Sequence, residues 1–441
     1  MKFHGVRIGR LFSSKLAYSY YVVLLLMFAY MLSFLDRVLI SLLVEPIRTE
    51  FALNDTQVGL LIGFSFVLFY TILGIPFGAA ADRTNRRNLI VFGLIGWSLA
   101  TAGSGLVSGF GGLLLMRALV GVGEATLSPA ALSTIADRFP PERLGFAISI
   151  YSSGVVLGGG IAMGFGGLVV EWAEKTSVVL PGWGVIEGWR LAMLLVGLLG
   201  LPFALLLLTT MREAPRDAAG KGQVPGMGAL IAMMRQNSAA FATVFIGYGF
   251  AVVSAYIPLL WGPALLAREH GLTPAEIGLS LGIIFGVCGL VGVLTGGALS
   301  DRLTRRGIVN APLLIVLATL PPQILLLGTA YLSEDPRLVL ILLGLGTFLS
   351  SVLGGLQATT VQLLTPATMR GRAIAMYLLV VTLLGMGLGP LAVGLLSDQV
   401  FGALPKSLAV VSTVSLTTAA IILWAGRSAV KRSIVAARAK N

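Results

Sequence analysis

Twelve runs of apolar residues, each long enough to cross a bilayer, leave this chain few ways to fold. They fall near 20–44, 57–81, 88–108, 113–136, 146–170 and 190–211, and again near 238–262, 276–299, 308–332, 337–363, 373–397 and 405–427. About twenty apolar residues in a helix cross a hydrocarbon core of ~30 Å. Lipid offers no hydrogen bonds to the backbone, so an unbroken apolar run of this length is satisfied as a helix. Composition agrees: of 441 residues, 56% are hydrophobic and 11% charged, against about 25% charged in an ordinary globular domain. The expected fold class is an all-α membrane protein of twelve transmembrane helices.

The net charge of +12 does not point to nucleic acid, because the charges sit in short clusters between the apolar runs and form no basic domain. With twelve spans both termini lie on one side. The loops and tails on that side hold 23 of the 31 Lys and Arg, against six on the other (Arg48, Lys175, Arg190, Arg268, Arg337 and Lys406). The bias places the termini in the cytoplasm. The basic, then apolar N-terminus resembles a signal peptide but runs past Tyr30 without a small-residue cleavage site, so it reads as a retained first span. Lys2, Arg7, Arg10 and Lys15 suit either an amphipathic surface helix near anionic headgroups or a solvated tail. The sequon at Asn54 begins a predicted helix and reads better as a cap than as a glycan site. With short loops, that favours a bacterial inner membrane. The single Cys288 excludes an intramolecular disulfide, and His4 and His270 are too far apart to form a His/Cys metal cluster. No cofactor is expected, no enzyme motif is present, and nothing indicates an oligomer, so a monomer is the expectation.

The halves repeat. LNDTQVGLLIG from Leu53 and LTPAEIGLSLG from Leu272 are 219 residues apart, and so are GAAADRTNRR from Gly78 and GALSDRLTRR from Gly297. Two blocks at one offset indicate an internal duplication. Asn54 with Gln57, and Thr273 with Glu276, have capping-box spacing, and Pro274 suits a first helical position. The segment 212–237, rich in Gly, Pro and charge, divides a bundle over 1–211 from one over 238–441.

Gly78, Asp82, Arg83, Arg86 and Arg87 follow the second span, and Gly297, Asp301 and Arg302 recur after the eighth. Topology alone explains the arginines but not Gly and Asp at fixed spacing in both halves. The pattern resembles the loop signature of the major facilitator superfamily, with Ala80 where Leu is usual and Asn85 in place of the second Gly. That resemblance implies two six-helix bundles alternating access between sides, with Asp82 engaging a helix end of the other half in one state.

Four charges lie deep within spans: Asp36, Arg37, Arg117 and Glu124. A charge at mid-bilayer costs ~2.5–3.5 kcal/mol on insertion scales, and four unpaired ones would rival a whole folding stability. They sum to zero, so pairing is the remedy. Arg117 and Glu124, seven apart, share nearly one helical face, while Asp36 and Arg37 point about 100° apart. One reading is a structural ion-pair network. The reading favoured here is a proton site at Asp36 and Glu124 with Arg37 and Arg117 as counter-charges or headgroup ligands, because spans 7 and 10 offer nothing similar.

Surrounding residues narrow the likeness. FLDRV, RALVGVGEA, STIADRFPPERLGFAISIY, Trp261-x-Pro263, Arg268-x-His270-Gly271 and GPLAVGLLSD ending at Asp398 together look like the Spinster branch, whose eukaryotic members move sphingosine phosphate and lysophospholipids. By that resemblance Asp36, Arg37 and Glu124 match proton-linked positions, and Arg117 matches the arginine preceding a Gly-Glu pair. A neighbouring branch of sugar-acid and organic-anion proton symporters shares the Asp-Arg and Arg…Gly-Glu elements. The expected function is proton-linked transport of an amphipathic lysolipid-like anion, with a sugar-acid symporter and an uncoupled lipid flippase as alternatives. Few polar residues in the second half (Tyr248, Tyr256, Gln357, Gln362) favour a substrate with an apolar tail. Gly74 and Gly78, Gly154 and Gly158, Gly278, Gly282 and Gly286, and Gly385, Gly387 and Gly389 each suit close small-residue helix packing, and together they mark spans 2, 5, 8 and 11 as candidates for the rocking interface. Pro258 and Pro390 are expected helix-breaking points.

Overall fold

The computed structural model describes residues 3–182, 184–214, 227–366 and 369–439. The expected faces of Lys2, Arg7, Arg10 and Lys15, and the middle of the 212–237 linker, lie outside the described side chains or residues. Among the described residues, eleven helices are long and apolar enough to cross a membrane. We label them α1 (Leu16–Leu42), α2 (Asp55–Arg83), α4 (Phe110–Ala136), α5 (Arg143–Glu174), α6 (Gly188–Thr210), α7 (Ser238–His270), α8 (Pro274–Arg305), α9 (Ala311–Leu332), α10 (Pro336–Leu364), α11 (Arg370–Phe401) and α12 (Leu404–Ala437). The expected third span is α3, Arg86–Ser104. It opens on Arg86, Arg87 and Asn88, which shorten its apolar stretch.

Both copies of the first repeat block begin helices as the spacing implies. Asn54 accepts from the Gln57 amide at 2.8 Å while Gln57 accepts from the Asn54 amide at 3.0 Å. Thr273 and Glu276 make the same reciprocal cap on α8, at 3.3 and 2.9 Å. Two features were not anticipated. A short helix, Val44–Phe51, follows α1. Between α5 and α6 a two-stranded antiparallel hairpin pairs β1 (Ser177–Leu180) with β2 (Gly184–Glu187).

Within the first half, α1 packs on α5, α3 on α6, and α4 on both α2 and α3. Within the second, α12 packs on α7 and α9, and α10 on α8 and α9. The halves meet through α5 against α8 and α2 against α11. Glycine makes these crossings possible, because a Cβ would collide with the facing backbone. A Cβ on Gly278 would lie 2.5 Å from the Met163 carbonyl, and one on Gly282 would lie 2.9 Å from the Gly160 carbonyl. At the other crossing, Gly59 and Gly63 face the carbonyls of Pro390 and Met386.

Several of the expected interface glycines do other work. Gly74 has nothing within 4 Å of its Cβ position and Gly78 only Pro129 at 4.0 Å, so this pair makes no close crossing. Gly154 and Gly158 face α1 inside their own half, and Gly385 and Gly389 face α7. Pro258 leaves α7 unbroken. Ahead of Pro390, α11 widens into a π-type turn at Leu383–Leu388, as expected where proline removes a backbone donor.

Candidate functional site

The four intramembrane charges converge between α1 and α4 in the first half. Helix α4 is interrupted at Ala125 and Thr126, one residue past Glu124. Pro129 accounts for the break: its ring excludes the carbonyl four residues back, which is that of Ala125. Two glycines seat this segment against its neighbours. A Cβ on Gly121 would stand 2.4 Å from the Phe66 carbonyl, and one on Gly123 would stand 2.8 Å from the Gly93 carbonyl. The motif RALVGVGEA thus brings a carboxylate to a helix break packed hard on α2 and α3.

Glu124 pairs across to α1. Its Oε2 accepts from Arg37 Nε at 2.7 Å and Nη2 at 2.6 Å, and from the Ser33 hydroxyl at 2.6 Å. Ser33 stands one turn before Arg37, so both donors project from one face of α1. The guanidinium also lies 4.9 Å from the Phe34 ring and 4.8 Å from each of the Phe66 and Tyr70 rings. The negative faces of these rings attract the cation where water is excluded.

Arg117 behaves differently. It forms no ion pair with Glu124 despite sharing a helix face. Its Nη1 reaches the Asp36 backbone carbonyl at 3.4 Å, and its guanidinium carbon lies 5.5 Å from the Phe66 ring. Among the described residues, Arg117 Nε and Nη2 and Glu124 Oε1 have no hydrogen-bond partner, although all three atoms are buried. Asp36 is buried on α1 and makes no ion pair within 4.0 Å among the described residues. The four charges are therefore gathered but unevenly paired. One donor pair and one acceptor oxygen remain open, and buried orphan polar groups are costly unless a ligand, a water or a proton completes them.

Below this cluster Tyr30 stacks on Tyr151 at 4.8 Å, and the Tyr151 hydroxyl meets Ser128 at 3.1 Å. In the second half two of the four expected polar candidates are committed within that half: Tyr248 bonds Thr360 at 2.9 Å, and Tyr377 donates to Gln357. Gln323, which the sequence reading passed over, is buried at the centre of a hydroxyl network with Ser350, Ser254 and Thr319.

The loop motif after α2 separates into two parts. Asp82 and Arg83 are exposed at the last turn of α2. Arg86 is buried and turns into the first half, bonding Asp137 at 2.5 Å, Ser133 at 2.9 Å, Glu213 at 2.9 Å and the Ala214 carbonyl at 3.1 Å. It clamps the start of α3, the end of α4 and the segment after α6. Burial works against ionisation of Glu213, but the Arg87 amide and the Arg86 guanidinium hold its carboxyl below the usual range. Arg87 contributes its backbone amide to Glu213 at 3.0 Å. The repeated Gly297, Asp301 and Arg302 sit at the end of α8, and no ion pair involves that Asp or Arg among the described residues.

At the end opposite the termini, the halves are tied by charge. Arg268 of α7 donates to Glu45 at 2.5 Å and to Asp55 at 2.7 Å, and Ser397 of α11 donates to Asp55 at 2.6 Å.

The sequence profile of the Major Facilitator Superfamily matches residues 26–390. This chain belongs to the major facilitator superfamily. Like other members it is a transporter and not an enzyme, and its eleven candidate spans among the described residues are consistent with the helical fold of that superfamily. Within it, the chain is 28% identical to an MFS-type efflux pump of Mycolicibacterium smegmatis over 92% of its own length and 91% of that protein. It is 29% identical to protein spinster homolog 1 of Homo sapiens, over 88% of this chain and 74% of that one. Among solved structures, it resembles a bacterial homologue of the human lysosomal transporter Spinster in an inward-facing, unoccupied conformation. There the TM-score is 0.78 at 28% identity, covering 96% of this chain and 97% of that one.

Proposed function

We propose that this facilitator is a proton-linked secondary transporter of an amphipathic anion of the lysolipid or sphingosine-phosphate class, working by alternating access between two six-helix bundles, 1–211 and 238–441. The observation that carries this reading is the incomplete pairing at α1 and α4. Glu124 is held by Arg37 and Ser33 through one oxygen, leaving the other to take a proton. Arg117 holds two donors in reserve for an anionic headgroup, and a guanidinium fork suits a phosphate or carboxylate. The second half supports an apolar tail, since Tyr248 and Gln357 already bond within that half.

The positive-inside count supports cytoplasmic termini with the Arg268–Asp55 ties outside, which favours an inward-facing arrangement. Likeness to an inward-facing Spinster homologue supports the same state. The substrate assignment is tested by ligand-induced thermal shift on purified protein, comparing lysolipids and sphingoid phosphates with sugar acids. Stabilisation by the amphipathic anions, reduced in Arg117→Gln more than for a tail-matched neutral analogue, is the expected result. Stabilisation by sugar acids alone would transfer the protein to the organic-anion symporters, and equal losses for charged and neutral ligands would make Arg117 structural.

A further inference from the structure

The outer crossings of the two halves are built alike. At the α2–α11 crossing, a Cβ on Gly394 would lie 2.2 Å from the Asp55 carbonyl; at the α5–α8 crossing, one on Gly167 would lie 2.4 Å from the Pro274 carbonyl. Asp55 and Pro274 are 219 apart, the repeat offset, and Gly167 and Gly394 are 227 apart. One turn beyond each glycine stands a carboxylate: Glu171 on α5 and Asp398 on α11, also 227 apart. Each faces the first turn of a helix belonging to the other half.

Asp398 accepts from the Asp55 amide at 3.1 Å, the Thr56 amide at 2.7 Å and the Thr56 hydroxyl at 2.6 Å. These are the amides that α2's own cap leaves free, because Asn54 takes that of Gln57. Glu171 faces the Thr273 side chain and the Ala275 amide at the start of α8, while also pairing with Lys175 at 2.8 Å. A carboxylate at a helix N-terminus is stabilised both by the free amides and by the helix dipole.

We propose that Asp398 and Glu171 are twin latches, each capping a helix of the opposite half, that hold the outer side shut and set the balance between inward- and outward-facing states. This rests on the alternating-access reading. Outward opening separates α2 from α11 and α5 from α8, so both caps break together. Because their contributions add, either one alone biases the balance without locking it.

The test uses full-length protein in nanodiscs, with Cys288→Ser, and spin labels on Ser108→Cys and Glu334→Cys in outer loops of the two halves. Asp398→Ala and Glu171→Ala should each raise the long-distance population about 2- to 5-fold, and the double variant by the product of the two. Asp398→Asn, which keeps an acceptor, should fall between, and serves if the alanine form does not fold. Asp335→Ala is the control: Asp335 caps its own helix, taking the Arg337 amide at 2.9 Å, and should change nothing. Arg268→Ala reports on the underlying reading. If it opens the outer side while the Asp398 and Glu171 variants do not, the latches are refuted and alternating access stands. An equal response in Asp335→Ala would also refute them. If no variant, Arg268→Ala included, ever populates a long distance, alternating access itself fails.

Discussion

At the residue scale the site is a problem in pairing. Arg37 has one carboxylate and three rings; Glu124 has three donor groups from two residues on one oxygen and none on the other. Removing one partner of a buried pair strands the other at about 3–5 kcal/mol, whereas removing both is often near neutral. Arg37→Gln should therefore lower the melting temperature sharply, and adding Glu124→Gln should recover most of the loss, as read by tryptophan fluorescence on heating. If the double variant is no more stable than Arg37→Gln, the two side chains are not coupled. The Arg86 clamp gives a pH prediction. Glu213 is held below its ordinary range, so its contribution is present above the unfolded carboxylate value of about 4.3 and fades as pH falls through the lower folded value. Glu213→Gln should lose stability at neutral pH and show a flatter acid limb as pH falls below the ordinary carboxylate value of about 4.3. An unchanged acid limb would place the acid sensitivity elsewhere.

At the element scale, glycines and prolines decide which helices touch. Gly121 meets the Phe66 carbonyl, so Gly121→Ala must push α4 away from α2 and strain the Arg37–Glu124 pair. Gly74 meets nothing, so Gly74→Ala should be tolerated and gain up to about 1 kcal/mol of helix propensity. Thermal stability and transport measured side by side should separate the two; similar behaviour would remove the packing argument. These elements also show what was legible in advance. The capping boxes at Asn54 and Thr273 were readable because a cap is local, set by residues three apart. The four charges stood out because lipid makes them expensive. Partner choice was not legible: Glu124 takes Arg37, 87 positions away, over Arg117 on its own helix face, and helix packing decides that. Gly74 and Gly78 carry the small-xxx-small spacing yet face open space, since spacing does not say which face meets a neighbour. Ser33 was within reach, lying one turn from Arg37 on the same face. The break at Ala125 was also implied by Pro129, four residues on.

At the scale of the whole molecule, the two halves are joined through glycine crossings and by charge at the end opposite the termini. Asp82, at the other end of α2, belongs to the repeated loop motif, and its neutralisation should shift the resting balance of states with little loss of folding. Spin-label distances across the halves would show this; unchanged distributions in Asp82→Asn would remove the gating role.

The central claim is that the α1–α4 cluster couples protons to substrate movement. A static ion-pair network and a proton site differ in one respect: only the second lets a gradient drive accumulation. The measurement is uptake into proteoliposomes of a ligand found by the thermal-shift screen, with and without an imposed pH gradient, in parent, Glu124→Gln and Asp36→Asn proteins. All three should insert and stay folded, Glu124→Gln with a lowered melting temperature because Arg37 loses its carboxylate. At least one variant should lose gradient-driven accumulation while retaining substrate exchange. If both variants accumulate substrate against a gradient as well as the parent does, the four buried charges are structural and proton coupling through them is wrong.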